Sequence, residues 1–254
     1  IAHFWKEDIP VITYKYRKYI YFTFVVFILL FSIGTISALY DEAFIRSILG
    51  DNYVDTTMGN IANGDPAAIY TNYTALGDIG SFLGITINNI RVGLLMYISG
   101  ITLGIGTLKL LFSNSMMLGA FLTMFHKADV LGTSLTAIWI HGAMEIFGMV
   151  IESAAGFILG LAWLFPGSLT RRQAFMQSGK DSLIIVMSTI PFTIAAGLLE
   201  GFVTQLYNDM PNALALAIIF STLALISYYY LVYPVKHNAR RPEVHTFHEM
   251  LNEE

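Results

Sequence analysis

The chain has 254 residues, 55% hydrophobic and 13% charged, where a soluble domain carries about 25% charged residues. A net charge of −4, with no basic patch beyond the flanks of its apolar runs, argues against a nucleic-acid-binding module. The absence of cysteine excludes disulfides and thiolate metal sites. Several apolar runs exceed about 18 residues and are continuous rather than alternating, which predicts an all-α, polytopic membrane protein instead of a β-barrel.

The chain begins with Ile1 rather than methionine, so its native start is expected to lie upstream. Residues 1–18 read as a juxtamembrane cytoplasmic segment, anchored by Trp5, Tyr14 and Tyr16 and ending in Lys15, Arg17 and Lys18. The membrane domain is expected over 19–233, opening with an uncharged span from Tyr19 to Leu39. Residues 40–80 form the longest polar connection, an acidic outer loop with Arg46 as its single basic residue and short helices packed on the membrane face. Asn63 to Pro66 predict a turn there, and Asn72-Tyr73-Thr74 matches a weak glycosylation pattern.

A second span is expected over Ile79–Phe112, too long to cross perpendicularly, with Gly100 and Gly104 in its middle as a small-residue face. A shorter third span follows over Ser113–Phe125. The stretch Leu135–Phe165 is the fourth and ends at Pro166 and Gly167. The fifth runs over Leu183–Phe202 with a kink at Pro191, and after a turn at Asn208–Asn212 the sixth occupies Leu214–Val232. A cytoplasmic tail, 234–254, completes the chain. Six spans put both termini on one side and place every basic residue there except Arg46, Arg91 and Lys127, eleven of the fourteen. That agrees with the positive-inside rule, which a re-entrant segment at 113–125 would break.

The fourth span carries His141, Glu145 and Glu152 within roughly 40° of one another on a helix. Charges at membrane depth cost about 2.5 to 3.5 kcal/mol each even on lenient scales, so this stripe must face the bundle interior. Arg91, His141, Glu145 and Glu200 are expected to converge in the outer half, helped by Asn88 and Asn89, with Glu152 deeper. Such a cluster can hold helices in register through Arg91 pairs, or it can serve as a proton or cation site. His141 and Glu145 can both reach one metal, but HxxxE lacks the second histidine of HExxH, so no metal and no cofactor is assigned. No nucleophile elbow, phosphate-binding loop or dinucleotide fingerprint is present, and no catalytic residue is assigned. Gly100, Gly104, Gly156, Gly160, Gly197 and Gly201 read as helix-packing positions, or equally as a dimer face.

Four motifs in order carry a resemblance: Asn-Asn-Ile-Arg-Val (88–92), His-Gly-Ala-Met-Glu-Ile (141–146), Ser-Ala-Ala-Gly-Phe-Ile-Leu-Gly (153–160) and Leu-Leu-Glu-Gly-Phe-Val-Thr (198–204). Together they resemble the stage II sporulation protein M family over about residues 19–233. The resemblance implies a multi-pass protein of a bacterial inner membrane, with a cytoplasmic helical stretch before the first span. It also implies a non-enzymatic anchor for a peptidoglycan-degrading machine whose partners supply the hydrolysis. Asn89, Arg91, His141, Glu145 and Glu200 match the family's characteristic polar positions, and no catalytic role comes with them.

Two functions are therefore expected. The first is a scaffold that recruits membrane or cell-wall enzyme partners and is itself a homodimer. The second is a proton- or cation-coupled transporter using Glu145, Glu200 and His141.

Overall fold

The computed structural model describes residues 2–63, 77–204, 206 and 210–239. The expected turn after Asn63, the Asn72 pattern, residues 208 and 209 of the turn before Asn212 and the tail beyond residue 239 lie outside the described residues. Every described element is helical, and six helices are long and apolar enough to cross a membrane. They are Arg17–Tyr40, Phe82–Ile101, Ile105–Lys127, Leu131–Leu164, Arg171–Val203 and Asn212–Ala239.

The fourth span is the axis of the bundle. Its most apolar window is 78% buried, against 22% to 44% for the others, and it packs on all five. At 1.5 Å per residue its 34 residues reach about 50 Å, so it tilts or extends past a hydrocarbon core of about 30 Å. One face packs Phe147, Ile151, Ala154 and Ile158 against Tyr16 and Ile20, Ile185 and Val186, and Ile226 and Tyr230. That core joins the first, fifth and sixth spans to the fourth. Lipid replaces water around such a bundle, so van der Waals fit rather than the hydrophobic effect holds these helices together.

The second span is shorter than the sequence predicts. Its helix ends in a tight 3₁₀ turn at Ser99–Ile101, and the chain reverses through Leu103 (φ 59°) and Gly104 (φ 84°) into the third span. Gly100 and Gly104 therefore form a hairpin corner, not the middle of a helix. Its two glycines are buried against the fourth span: a Cβ on Gly100 would strike the Gly156 carbonyl, and one on Gly160 would strike the Gly100 carbonyl and Gly104 nitrogen. The third span is correspondingly longer than expected, and the fifth begins at Arg171, capped by Thr170 with Gln173 closing the capping box.

Two short helices, Glu42–Leu49 and Asp51–Ala62, sit where small outer helices are expected. Asp41 caps the first of them, and Ile45 and Val54 bury against Ala120, Met124 and Phe125. Arg46 reaches Asp51 (3.2 Å) and Asp55 (2.9 Å), clamping the pair together. At the opposite end the first and last described helical segments meet. Tyr229 donates to the Trp5 carbonyl (2.9 Å), and His237 Nε2 lies 3.2 Å from Glu7 Oε2.

Candidate functional site

Three helix faces meet on the far side of the fourth span. The second span presents Thr86, Asn89, Gly93, Met96 and Gly100, spaced three or four apart and all inward. The fourth presents His141, Glu145, Glu152 and Gly156. The fifth presents Thr189, Thr193, Gly197 and Glu200. Glycine sets how closely these faces approach. A Cβ on Gly156 would meet the Met96 carbonyl, one on Gly197 the Thr86 hydroxyl, and one on Gly201 the Phe82 side chain at 2.9 Å. These small residues are thus used for contacts within the chain.

Between the glycine contacts lies a polar group. His141, from the fourth span, is 5% exposed. Its Nε2 lies 3.8 Å from Oε2 of Glu200 on the fifth span. One ligand atom each from His141, Glu145 and Glu200 fall within 4.8 Å of one another. Asn89, on the second span, donates its side-chain amide to Glu145 Oε1 and fixes that carboxylate.

The orientation of His141 follows from a local irregularity. The fifth span widens into a π-helical turn over Leu199–Val203, which carries Glu200. Across it the Thr204 hydroxyl donates to the Leu199 carbonyl (3.2 Å). The same oxygen lies 3.1 Å from His141 Nδ1, and while its one hydrogen is on the carbonyl it accepts from Nδ1–H. That tautomer turns the lone pair of Nε2 toward Glu200.

Glu152 is buried and stands apart, seven residues or about 10 Å farther along the axis. It accepts from the Thr189 hydroxyl at 2.7 Å. Its carboxylate lies over Gly93, where any Cβ would collide with it. Two cavities of about 270 Å³ each connect these stations. One is lined by Gly84, Ile85, Asn88, Asn89, Glu145 and Glu200. The other reaches from Asn88, Asn89 and Glu145 to Asn114, Glu152 and Thr193. Glu145 therefore lines both.

Arg91 does not join this group. It is exposed on the outer face of the second span, between exposed Ile87 and Leu95, and forms no ion pair among the described residues. At 100° per residue Arg91 sits about 200° from Asn89, so a helix that turns Asn89 inward turns Arg91 out. Asn88 is also exposed and stands where both cavities meet. Thr189, Thr193, Asn114 and Thr204 were not singled out from the sequence. Membrane-helix hydroxyls ordinarily bond their own helix, as Thr23, Ser32 and Ser115 do here. The signal for the threonines was their helical spacing from Glu200.

All three members of the group fall within residues 23–205, the region that matches the profile of the family described as stage II sporulation protein M. The chain belongs to the stage II sporulation protein M family. The family match begins inside the first span, takes in the next four and stops before the sixth. Neither a curated protein nor a solved structure matches the chain.

Proposed function

We propose that this stage II sporulation protein M family member is a cation-coupled membrane protein, in which His141, Glu145 and Glu200 take up protons or a small cation. One observation carries this. Two carboxylates and an imidazole converge inside a membrane bundle with no lysine or arginine among them, and two cavities meet at Glu145. Carboxylates that only fix helix register are expected beside a fixed cation, because an unpaired buried charge is costly. Arg91, two residues from Asn89, is exposed and faces away from the group. The proposal needs no covalent chemistry from the chain. By the positive-inside rule the end holding both termini faces the cytoplasm of a bacterial inner membrane.

The test is proton flux. The purified chain is reconstituted in liposomes holding a pH-sensitive dye, and a potassium diffusion potential drives uptake. Flux above that of protein-free vesicles, lost in Glu145→Gln and Glu200→Gln, is expected. Flux of protons and of a divalent cation, each equal to that of protein-free vesicles, overturns the proposal.

The scaffold role keeps one observation in its favour. The helices Glu42–Leu49 and Asp51–Ala62, clamped by Arg46, form a folded acidic platform at the end opposite the termini. A partner with a basic surface, such as a cell-wall enzyme, fits such a platform. The two roles are compatible, since platform and cluster sit on different parts of the bundle.

A further inference from the structure

We infer that His141, Glu145 and Glu200 form a site for a divalent first-row transition cation, such as Zn²⁺, Mn²⁺ or Fe²⁺. The inference rests on the cation assignment above and narrows it.

Ligand spacing comes first. His141 and Glu145 are four residues apart on one helix, so their side chains leave the same face one turn apart. Glu200 approaches from the facing helix, its Oε2 3.8 Å from His141 Nε2. Ligands bound at about 2.1 Å around a tetrahedral ion lie about 3.4 Å from one another. The group spans 4.8 Å at most, so small side-chain rotations bring the donors to bonding distance.

Two supporting contacts are already in place. Thr204 Oγ1 lies 3.1 Å from His141 Nδ1, and with its own hydrogen on the Leu199 carbonyl it selects the tautomer whose Nε2 lone pair faces Glu200. The Asn89 amide holds Glu145 through Oε1. Outer contacts of this kind orient the ligands of metal sites and fix the tautomer of a ligating histidine.

Charge and donor type then select the ion. Two carboxylates and a neutral imidazole carry −2, which one divalent cation cancels in a low-dielectric setting. A monovalent ion leaves a net negative charge there. The imidazole disfavours Mg²⁺ and Ca²⁺, which prefer all-oxygen shells. The lack of cysteine disfavours soft Cu(I). Three protein donors beside a cavity of about 270 Å³ leave a coordination position for water or an exchanging ligand, as a site that must release its ion requires.

The test uses the full chain in detergent micelles, dialysed against chelator and then titrated with ZnCl₂ or MnCl₂, with bound metal counted by mass spectrometry. One ion per chain is expected. Glu200→Gln and His141→Gln should weaken binding at least tenfold, and Thr204→Val several-fold. Glu152→Gln should stay within twofold of the parent. Thermal melting with and without metal gives a second readout, with a metal-dependent rise confined to proteins that keep all three donors. Unchanged binding in Glu200→Gln and His141→Gln would assign the metal to exposed histidines and overturn the inference. Proton flux with no bound metal would also overturn it while leaving the cation assignment standing. Bound metal with no flux of metal or protons would keep the site and remove the transport role.

Discussion

Lys15 and Asp181, at one end of the bundle, meet at 2.7 Å, and the Tyr16 hydroxyl adds a second bond to the same carboxylate oxygen at 3.0 Å. Burial works against the Lys15 ammonium, yet its contacts with Asp181 and Tyr16 outweigh that and hold its pKa above the ordinary lysine value. Glu145 and Glu200 lie deeper in the bundle and have no such partner among the described residues. Their neighbours are an amide, an imidazole and two cavities. Asp181, Glu145 and Glu200 are all partly buried, so electrostatics alone would put a fixed cation beside Glu145 as well. On the cation reading proposed above, the reversal separates a carboxylate that ties segments together from one that receives a mobile positive charge.

The largest expected effect breaks that comparison directly. Glu145→Gln or Glu200→Gln should cut cation-dependent flux at least tenfold without lowering the melting temperature, because each change removes a buried charge and keeps a polar group of the same shape. A melting temperature several degrees lower in both, with flux per folded molecule unchanged, would return the group to a structural role.

How far the sequence shows this arrangement depends on which coordinate is asked for. Five of the six spans were legible as long apolar runs and the short third through the placement of the basic residues, and the inward stripe was legible from the spacing of His141, Glu145 and Glu152. The corner at Gly100–Gly104 was not. Only Gly100 and Gly104 are buried there, against Gly156 and Gly160, and the exposed residues around them, Ile101, Leu103 and Ile105, are apolar, so no polar loop marks it. Arg91 was placed by depth alone, and its angle around the helix sends it elsewhere. Thr204 reaches His141 next to a π-helical turn, which no spacing rule announces.

Smaller changes sharpen the contrast. Gly93→Ala places a methyl group where the Glu152 carboxylate now lies. Overpacking of this kind costs about 1 to 3 kcal/mol, read as a lower melting temperature, and it should leave metal binding at His141 within a few-fold. Asp181→Asn removes the ion pair at the bundle end. Lys15 is well exposed there, so solvent screening leaves a loss of about 0.5 kcal/mol, with flux unchanged.

Arg91→Gln should do least of all. An arginine paired with Glu145 or Glu200 would leave a buried, unpaired carboxylate on removal, at a cost of about 3 to 5 kcal/mol. An arginine on the outer face should change stability by about 0.5 kcal/mol or less. Chemical or thermal unfolding in micelles separates these two values easily. A small shift with flux and metal binding intact would show that the carboxylates are balanced by something other than this side chain. A large one would bring Arg91 into the cluster, supply the missing positive charge and remove the main reason for placing a cation there.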